Sequence, residues 1–140
     1  MHVRSFQLAD YSAVTSLLQS VLSEECYDET KEALSRQLSW DSDLVMIAAD
    51  GDEVAGIIIG TIDNNRGYYY RVAVHPDFRG RGIAKSLISR LRSRFEQRNV
   101  SKILVSADKH NESVLTLYSS LGFAPSDFYH SFQKLSIVAG

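Results

Sequence analysis

The chain opens with alternating apolar and polar positions over "HVRSF" (2–6), which read as a short strand. The period then changes. Leu8, Tyr11, Val14, Leu17, Leu18, Val21 and Leu22 recur at three and four, the spacing of one helix face. Asp10 and Ser12 stand where a cap could form. The polar run "SEECYDET" (23–30) breaks that pattern, and a weaker second helix is predicted over "KEALSRQLSW" (31–40). Two apolar runs, "DLVMIAA" and "EVAGIIIGTI", flank an Asp-Gly turn at 50–51 and predict a hairpin. "DNNRG" (63–67) is a second turn, and "YYYRVAV" (68–74) a strand of aromatic and β-branched residues. Ile83, Leu87, Ile88, Leu91 and Phe95 then mark an amphipathic helix, with Asn99 as its stop. "KILVSA" (102–107) reads as a buried strand, "ESVLTLYSSLG" (112–122) as a short helix ended by Gly122, and "SDFYHSFQKLSIV" (126–138) as one or two closing strands.

The order is therefore β-α-α-β-β-β-α-β-α-β-β. It predicts an α/β fold, a mixed antiparallel and parallel twisted sheet flanked by helices, in one domain spanning 1–140. The β-α-β crossover in the middle makes "VAV" and "ILVSA" parallel members of one sheet. Composition adds little: 44% hydrophobic and 23% charged residues suit a globular domain, and a net charge of −2 gives no general attraction to nucleic acid. Arg90, Arg94 and Arg98 share a helix face, which reads as a solvated surface opposite the apolar one. A single cysteine, Cys26, excludes an internal disulfide and suits a reducing compartment. The N-terminal "MHVRSFQLADY" has no apolar run of signal-peptide length, and nothing in the chain approaches a membrane span. The expectation is a cytoplasmic protein that engages neither membrane nor nucleic acid.

"VHPDFRGRGIAKSL" (74–87) carries the chemistry. Two glycines and three cations lie between a strand and a helix, the makings of a phosphate cradle. A Walker A loop would align Lys85-Ser86, but its glycine places hold Arg79 and Ala84. A dinucleotide fingerprint could start at Gly80-Arg81-Gly82, but Lys85 takes the place of the third glycine, and the unit follows an antiparallel hairpin.

The segment 79–84, read as Arg-x-x-Gly-x-Ala, resembles the pyrophosphate loop of the GNAT superfamily of acetyl-CoA-dependent N-acetyltransferases. The longer phrase "VAVHPDFRGRGIAKSLI" resembles the whole family block, and "NESVLTLYSSLGF" (111–123) resembles a second block one crossover downstream. The resemblance covers nearly the whole chain. It implies acetyl-CoA as cosubstrate, no metal, and transfer of the acetyl group to a primary amine by direct attack in a ternary complex. A non-catalytic acyl-CoA sensor is the alternative. The acceptor would be a small molecule or peptide, and the protein a monomer or homodimer.

Residue by residue, the resemblance implies that main-chain groups of Val72, Ala73 and Val74 bind the pantetheine arm. Arg79, Gly80, Arg81, Gly82, Ile83, Ala84 and Lys85 would hold the pyrophosphate. Asn111 would contact the arm or hold the local backbone; as a plain helix N-cap it would serve equally well. Tyr118 would protonate the departing thiolate. Two family positions commonly occupied by glutamate hold Tyr68 and Ser106, neither of which is a base at neutral pH. Remaining base candidates are Glu24 and Glu25, expected in a loop, Asp108 and His110, and a water chain near Tyr68 and Tyr70. The acidic "EECYDE" (24–29) falls where the family shapes its acceptor pocket, so Glu24, Glu25, Tyr68 and Tyr70 are candidate substrate contacts, an acidic rim suiting a cationic acceptor.

Overall fold

The computed structural model describes residues 1–130. Strand β1 (His2–Ser5) leads through a single helical turn into helices α1 (Tyr11–Val21) and α2 (Glu24–Asp41). Strands β2 (Val45–Asp50), β3 (Glu53–Asp63) and β4 (Arg66–Val74) form an antiparallel meander. Helix α3 (Ile83–Gln97), strand β5 (Lys102–Ala107), helix α4 (Leu115–Ser120) and strand β6 (Phe128–His130) follow. The described strands make one sheet in the order β1-β2-β3-β4-β5-β6. The predicted closing pair is seen only as β6; its second half lies outside the described residues.

The local reasons are simple. Gly51 turns the β2–β3 hairpin at φ +62°, and Asn64 and Asn65 turn β3 into β4 at φ +51° and +60°, the left-handed pair a two-residue hairpin needs. Helix α2 corrects the sequence reading, because it begins at Glu24 rather than Lys31. Ser23 caps it, accepting from the Cys26 N–H at 3.2 Å, and Glu24 and Glu25 sit favourably in the first turn. A polar run broke the apolar period without breaking the helix. Leu8, placed on the α1 face by spacing, stands outside that helix and is 86% exposed. Asp10 stands at the N-cap of α1, but its side chain makes no cap bond there; its carboxylate takes Arg4 at 2.7 and 2.8 Å and the Gln7 N–H at 2.8 Å.

Two cores sandwich the sheet. Helices α1 and α2 bury Val14, Leu17, Leu18 and Leu34 against Val45, Ile47, Ile57 and Ile59. Helix α3 buries Ile83, Leu87, Leu91 and Phe95 against Met46, Ile58, Tyr69 and Val105 on the other face. On the outer side of α3, Arg98 pairs with Asp41 and Asp43, and Arg94 lies 3.7 Å from Asp43, so these cations tie α3 to the end of α2.

Helix α3 packs close to β3 because Gly60 admits it. A Cβ at Gly60 would stand 2.7 Å from Leu91 Cδ2, 2.9 Å from Phe95 Cζ and 3.0 Å from the Tyr68 carbonyl oxygen. Gly60→Ala is therefore expected to destabilise the fold by about 1–3 kcal/mol through overpacking. An unchanged thermal midpoint would show that α3 can give way.

Two irregularities shape the site. Ile59 pairs with Arg71 while Gly60 pairs with Tyr69, so Tyr70 is the extra residue of a bulge in β4. The parallel pairing of β4 with β5 runs only from Arg66–Lys102 to Tyr69–Val105. Beyond the bulge β4 no longer pairs with β5, whose other edge carries β6 from Val105 onward. The two neighbours part into a V.

Candidate functional site

The V opens onto a cavity of about 480 Å³ lined by Arg71 to Val74, Phe78 to Gly80, Gly82 to Lys85, His110, Asn111, Val114 and Leu117, with Val21 and Leu22 closing one side. One wall is the freed edge of β4. Alternation decides which of its groups face the gap. The His75 N–H bonds the Ala55 carbonyl at 2.8 Å, so His75 faces β3, and Ala73 two residues earlier does the same. The main-chain groups of Val72 and Val74 then point into the V. This corrects the expectation for Ala73, whose backbone is committed to β3 although the residue still lines the cavity. The Val74 carbonyl accepts from Arg79 Nε at 3.2 Å, which anchors the loop to the strand.

The loop forms the far wall. Gly80 (φ +80°) and Gly82 (φ +74°) both adopt the left-handed conformation, and both have open space where a Cβ would stand. Gly82 occupies the N-cap of α3 without a side chain. The fifteen-residue helix therefore presents the bare N–H groups of its first turn and its positive dipole end to the cavity. Lys85 adds charge beside it. Arg81 departs from the expected set: it lies over the Phe78 ring at 5.2 Å and borders a separate hollow near Met1, His2 and Arg90, rather than the V.

The third wall is the turn after β5, held by its own side chains. Asn111, 5% exposed, accepts from the Asp108 N–H at 2.8 Å and donates Nδ2 to the Ser106 carbonyl at 2.6 Å. It makes no side-chain cap bond at the head of the following helical turn. Of the roles open to it, the geometry supports holding the local backbone. Asp108 Oδ1 in turn accepts the His110 N–H at 2.8 Å and Arg71 Nη1 at 3.3 Å.

Arg71 sits where β4 bends. Its side chain is only 2% exposed. Nε donates to Thr30 Oγ1 at 3.1 Å, and the guanidinium lies 4.8 Å from the centre of the Tyr70 ring. Burial by itself would depress its pKa; Tyr70, Asp108 and Cys26 outweigh that and hold it above the ordinary guanidinium value. Sequence reading missed this residue. The signal was present: an arginine inside an apolar, aromatic strand must find partners once buried.

Tyr118 packs against Tyr69, the last residue of β4 that pairs with β5 (5.4 Å between ring centres), and against Phe123 (5.8 Å), and is 2% exposed. It does not line the cavity. Burial drives its pKa far above the ordinary phenol value, so it stays protonated across the working range.

The candidate acceptor contacts divide. Tyr68 is buried edge-on against Tyr129 at 5.5 Å. Tyr70 is buried against Arg71, and burial raises its pKa. Glu24 and Glu25 belong to the first turn of α2 rather than to a loop, and Glu25 takes Lys109 Nζ at 2.6 Å on the surface. Glu29, one turn further on, has its Oε2 3.4 Å from His110 Nε2.

Residues 11–123 match the model of the family described as "Acetyltransferase (GNAT) family". An acetyltransferase of Pectobacterium atrosepticum is 35% identical over 127 residues, covering 91% of this chain and 90% of its own. In fold, the chain is similar to the PaiA N-acetyltransferase of Thermoplasma acidophilum solved with coenzyme A (TM-score 0.72, 16% identity, 88% of this chain and 89% of that one). It is likewise similar to an aminoglycoside 6'-N-acetyltransferase of Acinetobacter haemolyticus (TM-score 0.72, 16% identity, 97% and 99%).

Proposed function

The chain belongs to the GNAT acetyltransferase family, with acetyl-CoA as its cosubstrate, and from that premise we propose that it moves the acetyl group to a primary amine by direct attack within a ternary complex. The observation that carries this reading is the V itself. The freed main-chain edge at Val72 and Val74 opens onto the bare N-terminus of α3, which suits an extended pantetheine arm ending in a pyrophosphate.

In this reading the amides of Gly80 to Lys85 hold the pyrophosphate, with Arg79 and Lys85 as nearby cations. A main-chain N–H of the β4 edge polarises the thioester carbonyl and stabilises the oxyanion that forms on attack. Tyr118 donates to the sulfur as the C–S bond breaks. The thiolate, with an ordinary thiol pKa near ~8.5, is a fair leaving group, so the donor is worth little compared with positioning. The acceptor must attack as a free amine. Deprotonating a lysine-like amine at pH 7 costs roughly 4–5 kcal/mol, an α-amino group only about 1 kcal/mol.

The test is release of free thiol from acetyl-CoA on adding spermidine, kanamycin or an alanine-ended peptide. Acetyl-CoA binding without thiol release on any of them would favour the sensor instead. Tyr118→Phe is expected to lower kcat by about 10-fold and leave the KM for acetyl-CoA unchanged, since the hydroxyl meets only the departing sulfur. Full turnover by Tyr118→Phe at every pH would remove the residue from the mechanism.

A further inference from the structure

The reaction needs a proton acceptor on the amine side of the V, and the two strand positions where the family resemblance would put a glutamate hold Tyr68 and Ser106. Of the other candidates, Asp108 is already engaged by Arg71 and by the His110 N–H. Glu25 is 61% exposed and takes Lys109. Glu24 is exposed on the first turn of α2. His110 differs. It lines the cavity, its side chain is 11% exposed, and Asp108 and Asn111 lock the turn that carries it.

Its two ring nitrogens have different surroundings. Nε2 is buried and faces Glu29 Oε2 at 3.4 Å, near enough for charge attraction but not aligned as a hydrogen bond. Nδ1 meets no hydrogen-bond partner among the described residues. A carboxylate beside Nε2 favours the tautomer with its proton there, which leaves the Nδ1 lone pair free. Such contacts often tighten only when substrate is bound. The charged groups around His110 are Glu25 and Glu29 from α2, within 4.8 Å of its ring and of each other, Asp108, which accepts its backbone N–H, and Arg71 from β4, which pairs with Asp108 and lines the same cavity; Lys109 already supplies a cation to Glu25.

Resting on the acetyltransferase reading, we infer that His110 is the base that takes the proton from the attacking amine, and that Glu29 is the positioning residue that fixes its tautomer. The acceptor's ammonium sheds one proton to solvent. As the nitrogen lone pair forms the C–N bond, its second proton passes to Nδ1. The tetrahedral adduct collapses, the C–S pair leaves with sulfur, Tyr118 protonates the sulfur, and the imidazolium's proton returns to the phenolate through water.

The experiment compares wild type, His110→Gln, His110→Ala and Glu29→Gln with acetyl-CoA and whichever of the three amines the wild type acetylates. His110→Gln should lower kcat/KM for the amine by about 100-fold and flatten the acid limb of the pH–rate profile. The KM for acetyl-CoA should stay within about threefold, and added imidazole should restore His110→Ala at least about 10-fold. Glu29→Gln should cost about 10-fold in kcat yet keep the acid limb, because the imidazole remains. A His110→Gln enzyme within about threefold of wild type, or an equal loss with an unchanged pH profile and no imidazole rescue, overturns the assignment. If the wild type releases no thiol with any amine, the acetyltransferase reading fails first and takes this one with it.

Discussion

Gly82→Val is expected to weaken acetyl-CoA binding by about 100-fold or more while the protein stays folded. Gly82 holds φ +74° at the N-cap of α3. A β-branched residue there is strained by roughly 1–2 kcal/mol. Space is not the obstacle, since nothing lies within 4 Å of the added Cβ. The backbone is. Relaxing it toward negative φ re-aims the amides on either side, and each charge-assisted bond lost to a pyrophosphate is worth about 1.5–3 kcal/mol. Two such bonds give the stated factor. Gly51→Val supplies the control: it has φ +62°, equally open space, and a hairpin turn that does not line the V. It should lower the thermal midpoint by a similar few degrees and leave binding by calorimetry untouched. Gly82→Val binding acetyl-CoA as tightly as Gly51→Val would mean that the loop does not hold the phosphates.

The geometry of the loop was legible because backbone chemistry leaves its mark in residue type: glycine where φ is positive and a helix with no capping side chain. The meander was legible for the same reason, since Asp50-Gly51 and Asn64-Asn65 are turn residues with a mechanism. What stayed hidden depends on partners remote in sequence. Glu24 and Glu25 read as loop charges because a polar first turn has no apolar period, although Ser23 and the helix dipole make it a good helix start. Glu29 could not be chosen over its acidic neighbours until α2 was seen to run through it and turn it toward His110. Ala73 differed from Val72 and Val74 only through the register with β3, which no single strand encodes. Arg71 pairs with Thr30, 41 positions away, and Asp108, 37 away.

That same arginine sets the second large effect. Asp108→Ala is expected to destabilise the protein by about 2–3 kcal/mol, below the ~3–5 kcal/mol of a fully buried pair because Asp108 keeps some contact with water. The variant strands a guanidinium that is 2% exposed, with Thr30 and the ring and hydroxyl of Tyr70 left to it, and frees the His110 N–H. Arg71→Met should cost far less. An apolar side chain of similar length fills the space, and Asp108, 29% exposed, can be rehydrated. The double variant Arg71→Met with Asp108→Ala should then be more stable than Asp108→Ala alone, recovering most of the loss. Thermal melts of the four proteins measure the coupling directly. Equal losses for Asp108→Ala with and without Arg71 would show that the carboxylate matters only for the turn it caps. A recovered double variant that nonetheless stays slow in amine acetylation would separate the two duties of Asp108: its charge neutralises the arginine where β4 bends, and its oxygen holds the turn that presents His110 to the V.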